Sequence, residues 1–188
     1  QRRTVVVEGD LRMPMFAKML ELDDGPGLIQ VLQGRAKLGD AIQRVGNTNV
    51  SVLPAGGKAA DDAMALLSSP RLAETIEALR QRFDHVIIDT PPVLDLADAG
   101  ILGACSDDLL LAVRMNRTPR PLVDQAIRLL RSYNAPVAGV VLTDMKFEPQ
   151  RFRYRYGYRY GNRYAYGSHR RRGSQPAVAP AELARKSA

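Results

Sequence analysis

Residues 85–99 read HVIIDTPPVLDLADA, and the fold follows from how that stretch is taken. Four residues, three of them apolar, lead into Asp89, and Pro91 and Pro92 then stiffen the exit. Runs apolar on both sides suit parallel strands buried between helices, and in open parallel sheets ligands bind at the carboxyl ends of the strands. Four more stretches have the same character: TVVVE (4–8), VSVLP (50–54), DLLLAV (108–113) and VAGVVLT (137–143). Helical patterns lie between them. Over 68–83, Ser69 is placed as an N-cap, Pro70 at the first helical position, and Leu72, Ile76 and Leu79 on one face. Residues 120–133 repeat the scheme with Leu122, Ala126, Leu129 and Leu130. This alternation predicts an α/β domain with right-handed crossovers.

Charge divides the chain in two. Residues 1–150 hold 17 Lys+Arg against 19 Asp+Glu, whereas residues 151–188 hold 10 against a single Glu, so the net charge of +7 belongs to the tail. The shift predicts a domain over 1–148 and a basic tail over 149–188. In the tail, RFRYRYGYRYGNRYAYG (151–167) concentrates six of the seven tyrosines. A Pro/Ala/Ser-rich end follows. Too little aliphatic surface is present there to offset the cost of ordering, so disorder is expected over 149–188. No apolar run approaches the roughly 18–20 residues of a membrane span. The single cysteine, Cys105, excludes an intramolecular disulfide framework, fits a reducing compartment and reads as a small apolar residue in a helix.

Two acidic strand ends carry the chemistry. Asp89 at its strand end can hold Mg²⁺, directly or through water, beside phosphate oxygens; the alternative is that it caps the next turn. TVVVEGDLRMP (4–14) is a second buried strand ending in acids. Glu8 and Asp10 project the same way if the strand continues, and can then share a cation or a proton-transfer task. Arg12 suits a phosphate or a structural carboxylate.

Taken together, VVVEGDLR, VIIDTPP and the tail RYRYGYRYGNRYAYG resemble three ordered motifs of the bacterial tyrosine autokinases of capsule and exopolysaccharide synthesis. These belong to the P-loop ATPase branch that contains MinD and ParA-like proteins. The first match is to the family's Walker A′ motif and the second to its Walker B motif. LPAGG (53–57), residues 66–86 and APVAGVVL (135–142) also read like their counterparts, so the resemblance covers residues 4 to about 166.

The resemblance implies a three-layer P-loop NTPase-like domain with a mostly parallel sheet. It implies ATP and Mg²⁺ as cofactors, with transfer of the γ-phosphoryl group to tyrosine. Asp10 would orient or deprotonate the phenol, with Glu8 sharing that role or the metal, and Arg12 would brace the acids or a phosphate. Asp89 would complete a metal set with Glu8 and Asp10, while Pro91 and Thr143 would lie at the nucleotide. The acceptors would be Tyr154, Tyr156, Tyr158, Tyr160, Tyr164 and Tyr166. Implied partners are neighbouring copies in a ring, a membrane-embedded polysaccharide co-polymerase and a cognate phosphatase, at the cytoplasmic face of the plasma membrane. Nucleic acid is not among them.

The chain departs from the family pattern in four places, one being that AGGKAADDAMALL (55–67) lacks the Asn-Pro usually found before the Leu-Leu. Glu8 stands where the family has Asp, Thr143 where it usually has Asn, and no GxxxxGK[ST] loop occurs in the 188 residues. The family's loop lies one helix upstream of the strand starting at Thr4, so the expectation is that it precedes Gln1. Without it the chain is expected to bind ATP poorly, and the sheet to expose apolar faces. Two rival readings are a non-catalytic ATPase fold whose tail binds nucleic acid or an acidic polymer through arginine and stacked tyrosine, and a ParA-like ATPase.

Overall fold

The computed structural model describes residues 2–59 and 61–145. The expected boundary near 148, the tail and its six tyrosines lie outside them. Thirteen elements follow in order: β1 (Thr4–Glu8), α1 (Phe16–Met19), α2 (Leu28–Leu32), α3 (Leu38–Ala41), β2 (Gln43–Arg44), β3 (Val50–Leu53), α4 (Ala63–Leu67), α5 (Pro70–Arg80), β4 (His85–Asp89), α6 (Asp98–Ala104), β5 (Leu109–Arg114), α7 (Arg120–Ser132) and β6 (Val137–Thr143). All five strands expected from the sequence form.

Strand order is β2-β3-β1-β4 in one sheet and β5-β6 in a second. Every pairing is parallel except the short β2–β3 pair. Strand β1 is central to the first sheet. It pairs Val5 to Ser51 and Val7 to Leu53 on one side, and runs from Thr4↔His85 to Glu8↔Asp89 on the other. The two acidic strand ends are therefore neighbours in register.

The larger core gathers Val5, Val7 and Leu53 from the sheet, Leu28, Ile29 and Leu32 from α2, and Leu72, Ile76 and Leu79 from α5. Each fully buried Leu or Val contributes on the order of 1.5–3 kcal/mol relative to an exposed one. A smaller cluster joins Leu111 and Val113 of β5 to Ala126 and Leu130 of α7.

Helices α5 and α7 start where the sequence places them, each with proline in its first turn. The cap differs in detail. Ser69 has extended backbone, but its hydroxyl donates back to the Leu66 carbonyl at 2.7 Å instead of accepting from the new helix. On α7, Ala126 and Leu130 are buried while Leu122 is exposed.

Burial on both faces of every strand is not realised. Among the described residues, strand β4 has a partner on the β1 side only, and its Ile87 is 54% exposed; Leu110 of β5 is 66% exposed. Val86–Asp89 and Leu109–Val113 line one open cleft of about 1030 Å³, with α5 and α7 residues contributing to its walls. Along β6, Val140, Val141 and Leu142 are also exposed. With no neighbour along these edges among the described residues, alternate side chains that suit a packed sheet face solvent.

Cys105 caps the C-terminus of α6, half-buried against the larger core, and burial pushes its thiol pKa up. That fits the small apolar residue expected. No described helix is long and apolar enough to cross a membrane.

Candidate functional site

The site grows from the register of β1 and β4. Glu8 and Asp89 are paired positions, and the chain beyond β1 stays against β4 because the Gly9 amide donates to the Asp89 carbonyl at 2.8 Å. Only glycine allows that approach. A Cβ at residue 9 would lie 2.5 Å from the Asp89 carbonyl oxygen and 2.6 Å from Cδ1 of Leu102 on α6. Leu11 then turns inward and is fully buried, and its carbonyl accepts from the Ala59 amide at 2.9 Å. Asp10 and Arg12 flank this apolar anchor and are both partly exposed.

Glu8 has a different task from the one the sequence suggests. Its side chain is 2% exposed; Oε1 accepts from the Met15 and Phe16 amides and Oε2 from the Ala55 amide. One carboxylate thus satisfies donors at the start of α1 and in the LPAGG loop after β3. The condition under which Glu8 and Asp10 would project the same way, continuation of the strand, is not met: β1 ends at Glu8 and Asp10 lies in the following turn. At Asp10, Oδ1 accepts from the Arg12 amide at 3.1 Å and the Met13 amide at 2.9 Å, the local turn that short acidic side chains favour.

Arg12 reaches across to α6. Its Nε donates to Oδ2 of Asp98 at 2.7 Å and its Nη2 to Oδ1 at 3.2 Å, a two-pronged contact with a fully buried carboxylate. The hydrogen bond to Asp98 is the main reason that the guanidinium pKa lies above its ordinary value. Of the two alternatives read from sequence, phosphate or structural carboxylate, the described geometry shows the carboxylate.

Asp89 stands exposed at the end of β4, yet its pKa is raised. Partial desolvation is the first cause, followed by the negative charges of Asp10 and Glu8. The three acids therefore share one field, although no three acidic, histidine or cysteine side chains among the described residues converge closely enough to hold a metal ion. Pro91 is buried and lines the cleft with Asp89 and Thr90. Thr143 closes β6 beside Arg114, with its hydroxyl 3.5 Å from the Val113 carbonyl oxygen. Among the described residues, no hydrogen bond or ion pair links it to Glu8, Asp10 or Asp89.

Asp98, Gly9 and Leu11 were not singled out from sequence as site residues. The signal for Asp98 was present: an acid immediately before AGILGA, at the start of a helix of small and apolar residues, with an arginine elsewhere in want of a carboxylate.

A family model for the AAA domain matches residues 15–130. The succinoglycan biosynthesis transport protein ExoP of Rhizobium meliloti (strain 1021) is 32% identical over 83% of this chain and 21% of its own length. A putative tyrosine-protein kinase, EpsB of Ralstonia solanacearum, is 32% identical over 83% of this chain and 20% of its own. The chain thus spans about a fifth of these relatives. Among solved structures, the VpsO kinase domain superposes with a TM-score of 0.71 at 29% identity, covering 76% of this chain and 70% of that one. The septum site-determining protein MinD of Pyrococcus horikoshii OT3, complexed with Mg-ADP, gives 0.61 at 26%, covering 81% and 64%. The mostly parallel α/β architecture, the ordered acidic strand ends and these likenesses agree: the chain belongs to the AAA-domain family and, within it, to the bacterial tyrosine autokinases.

Proposed function

We propose that this chain forms the acidic half of an ATP- and Mg²⁺-dependent active site that transfers a γ-phosphoryl group to tyrosines of the chain's own C-terminal cluster. The observation that carries the reading is the pairing of two adjacent parallel strands, β1 and β4, whose carboxyl ends lead directly to Asp10 and Asp89 within one electrostatic field. Desolvation first, and then the charges of Asp10 and Glu8, raise the Asp89 pKa, and a divalent cation would favour the ionised form, so on this reading Asp89 and Asp10 hold Mg²⁺. When bound, the cation supplies charge neutralisation at the phosphates.

The remaining roles complete this reading. Asp10 is the acid nearest the solvent beyond β1 and receives the phenolic proton. Asp89 holds the metal side. Glu8 keeps the floor of the site in place through its three amide bonds rather than joining the metal set. Pro91 fixes the exit of β4, and Thr143 approaches the nucleotide from β6. A phosphate cradle is not supplied by any GxxxxGK[ST] sequence within the 188 residues, and on its own this chain binds ATP weakly.

The acceptors on this reading are Tyr154, Tyr156, Tyr158, Tyr160, Tyr164 and Tyr166. Each phosphate adds nearly two negative charges among five arginines of the same stretch, taking it from basic to acidic. That change switches association between copies in a ring and with a membrane-embedded polysaccharide co-polymerase, and a cognate phosphatase reverses it. The setting is the cytoplasmic face of the plasma membrane, and the outcome is control of exopolysaccharide or capsule polymerisation and export.

The test is incubation of the full gene product with ATP and Mg²⁺, followed by mass spectrometry of the tail. Phosphate on residues 154–166, lost in Asp89→Asn and Asp10→Asn, is expected. No phosphotyrosine, together with salt-sensitive binding of RNA by the tail, would overturn the kinase reading in favour of a polymer-binding one.

A further inference from the structure

The segment carrying Asp10 and the loop leaving Asp89 are fastened together twice. At the near end, Gly9 donates to the Asp89 carbonyl. At the far end, Arg12 grips Asp98 through two bonds, where the loop after β4 enters α6. Between these fixings lie Asp10 on one segment and Thr90–Ala97 on the other. Among the described residues no backbone hydrogen bond joins the two segments in this interval, which leaves the far fixing to act on how the two acids face each other.

The pair is built for orientation. Asp98 is fully buried, the first residue of α6, and its neighbours Ala99 and Gly100 are buried too. A planar guanidinium bound through two nitrogens to both oxygens of a carboxylate fixes direction as well as distance, which a lysine ammonium does not. On the other side, the Arg12 amide is one of the two donors to Asp10 Oδ1. One residue therefore holds Asp98 with its side chain and Asp10 with its backbone.

We propose that Asp98 is a positioning residue of the phosphoryl-transfer site: through Arg12 it sets the orientation of Asp10 relative to Asp89. This rests on the kinase reading for its kinetic consequence, but not for its structural one. Asp98 touches neither nucleotide nor phenol. It acts as an outer-shell carboxylate acts on a metal site, where loss of the outer partner typically costs about 10–100-fold.

Two variants of the full gene product test it. Arg12→Lys keeps the charge and removes the fork; Asp98→Asn keeps the shape and removes the charge. Each is expected to lower kcat for tail phosphorylation by about 10–100-fold while the KM for ATP stays within about threefold. In parallel, hydrogen exchange at the Met13 amide, which donates to Asp10, should accelerate about tenfold while the amides of Val5–Val7 keep their protection. Unchanged exchange at Met13 in both variants overturns the proposal. So does faster exchange with undiminished kcat in an active protein, which would make the pair structural only. If the unsubstituted protein forms no phosphotyrosine, the kinase reading falls, and the exchange result alone decides whether Asp98 orients the Asp10 turn.

Discussion

The Gly9 amide and the Asp89 carbonyl, 2.8 Å apart, extend the β1–β4 pairing one step past the last strand residue, into the turn that bears Asp10. Backbone contact at this point is what lets a carboxylate from each strand share one field. It also makes residue 9 intolerant of a side chain. Gly9→Ala would drive a methyl against backbone and against Leu102, where relief needs the strand end to move. A loss of about 1–3 kcal/mol is expected, read as a lower urea midpoint with unchanged slope.

Glu8 offers a sharper contrast between structure and chemistry. Glu8→Ala leaves three backbone donors at the Met15, Phe16 and Ala55 amides without their acceptor. Each buried unsatisfied group costs about 1–3 kcal/mol, so the domain is expected to be strongly destabilised. Glu8→Gln keeps one acceptor oxygen and should lose less. If Glu8 were chiefly a metal ligand, both variants would unfold like the parent protein in metal-free buffer; equilibrium denaturation there separates the two roles.

Much of this was legible in the sequence, and the exceptions have physical reasons. β-Branched runs and proline-started helices declare themselves because local preference and burial agree. Helix α2 did not, since Leu28, Ile29, Val31 and Leu32 are all buried and a short segment apolar all round has no helical stripe to read. Glu8 and Asp10 were legible as acids but not as partners. Their divergence depends on where β1 ends and on amides from α1 and the loop after β3, which lie far along the chain. Asp98 was hidden for the same reason: its meaning is a contact with Arg12 across 86 positions.

Asp89 should make the protein's stability depend on pH in an unusual direction for a carboxylate. Its folded pKa is raised above the ordinary 3.8, chiefly by desolvation and then by Asp10 and Glu8. The folded state therefore binds this proton more tightly than the unfolded state does. The resulting penalty is absent below 3.8, grows as pH rises through the folded pKa and is complete above it. Asp89→Asn is expected to be the more stable protein at neutral pH, with the advantage closing as pH falls toward that value. Thermal melts of both proteins across that range check it, and Mg²⁺ should narrow the neutral-pH gap by stabilising the parent alone.

The larger core and the open cleft should respond unequally to truncation. Leu79 of α5 is fully buried in the larger core, so Leu79→Ala is expected to cost about 2–5 kcal/mol through lost burial and the cavity left behind. Leu110 of β5 and Ile87 of β4 stand 66% and 54% exposed along the open cleft, and Leu110→Ser or Ile87→Ser should stay within about 0.5 kcal/mol. Chemical denaturation of this chain measures both. The same serine substitutions in the full gene product give a second reading. A cost there of several kcal/mol, absent in this chain, would mean that further sequence packs along the β4 and β5 edges; equal small costs in both would mean that the cleft stays open to solvent.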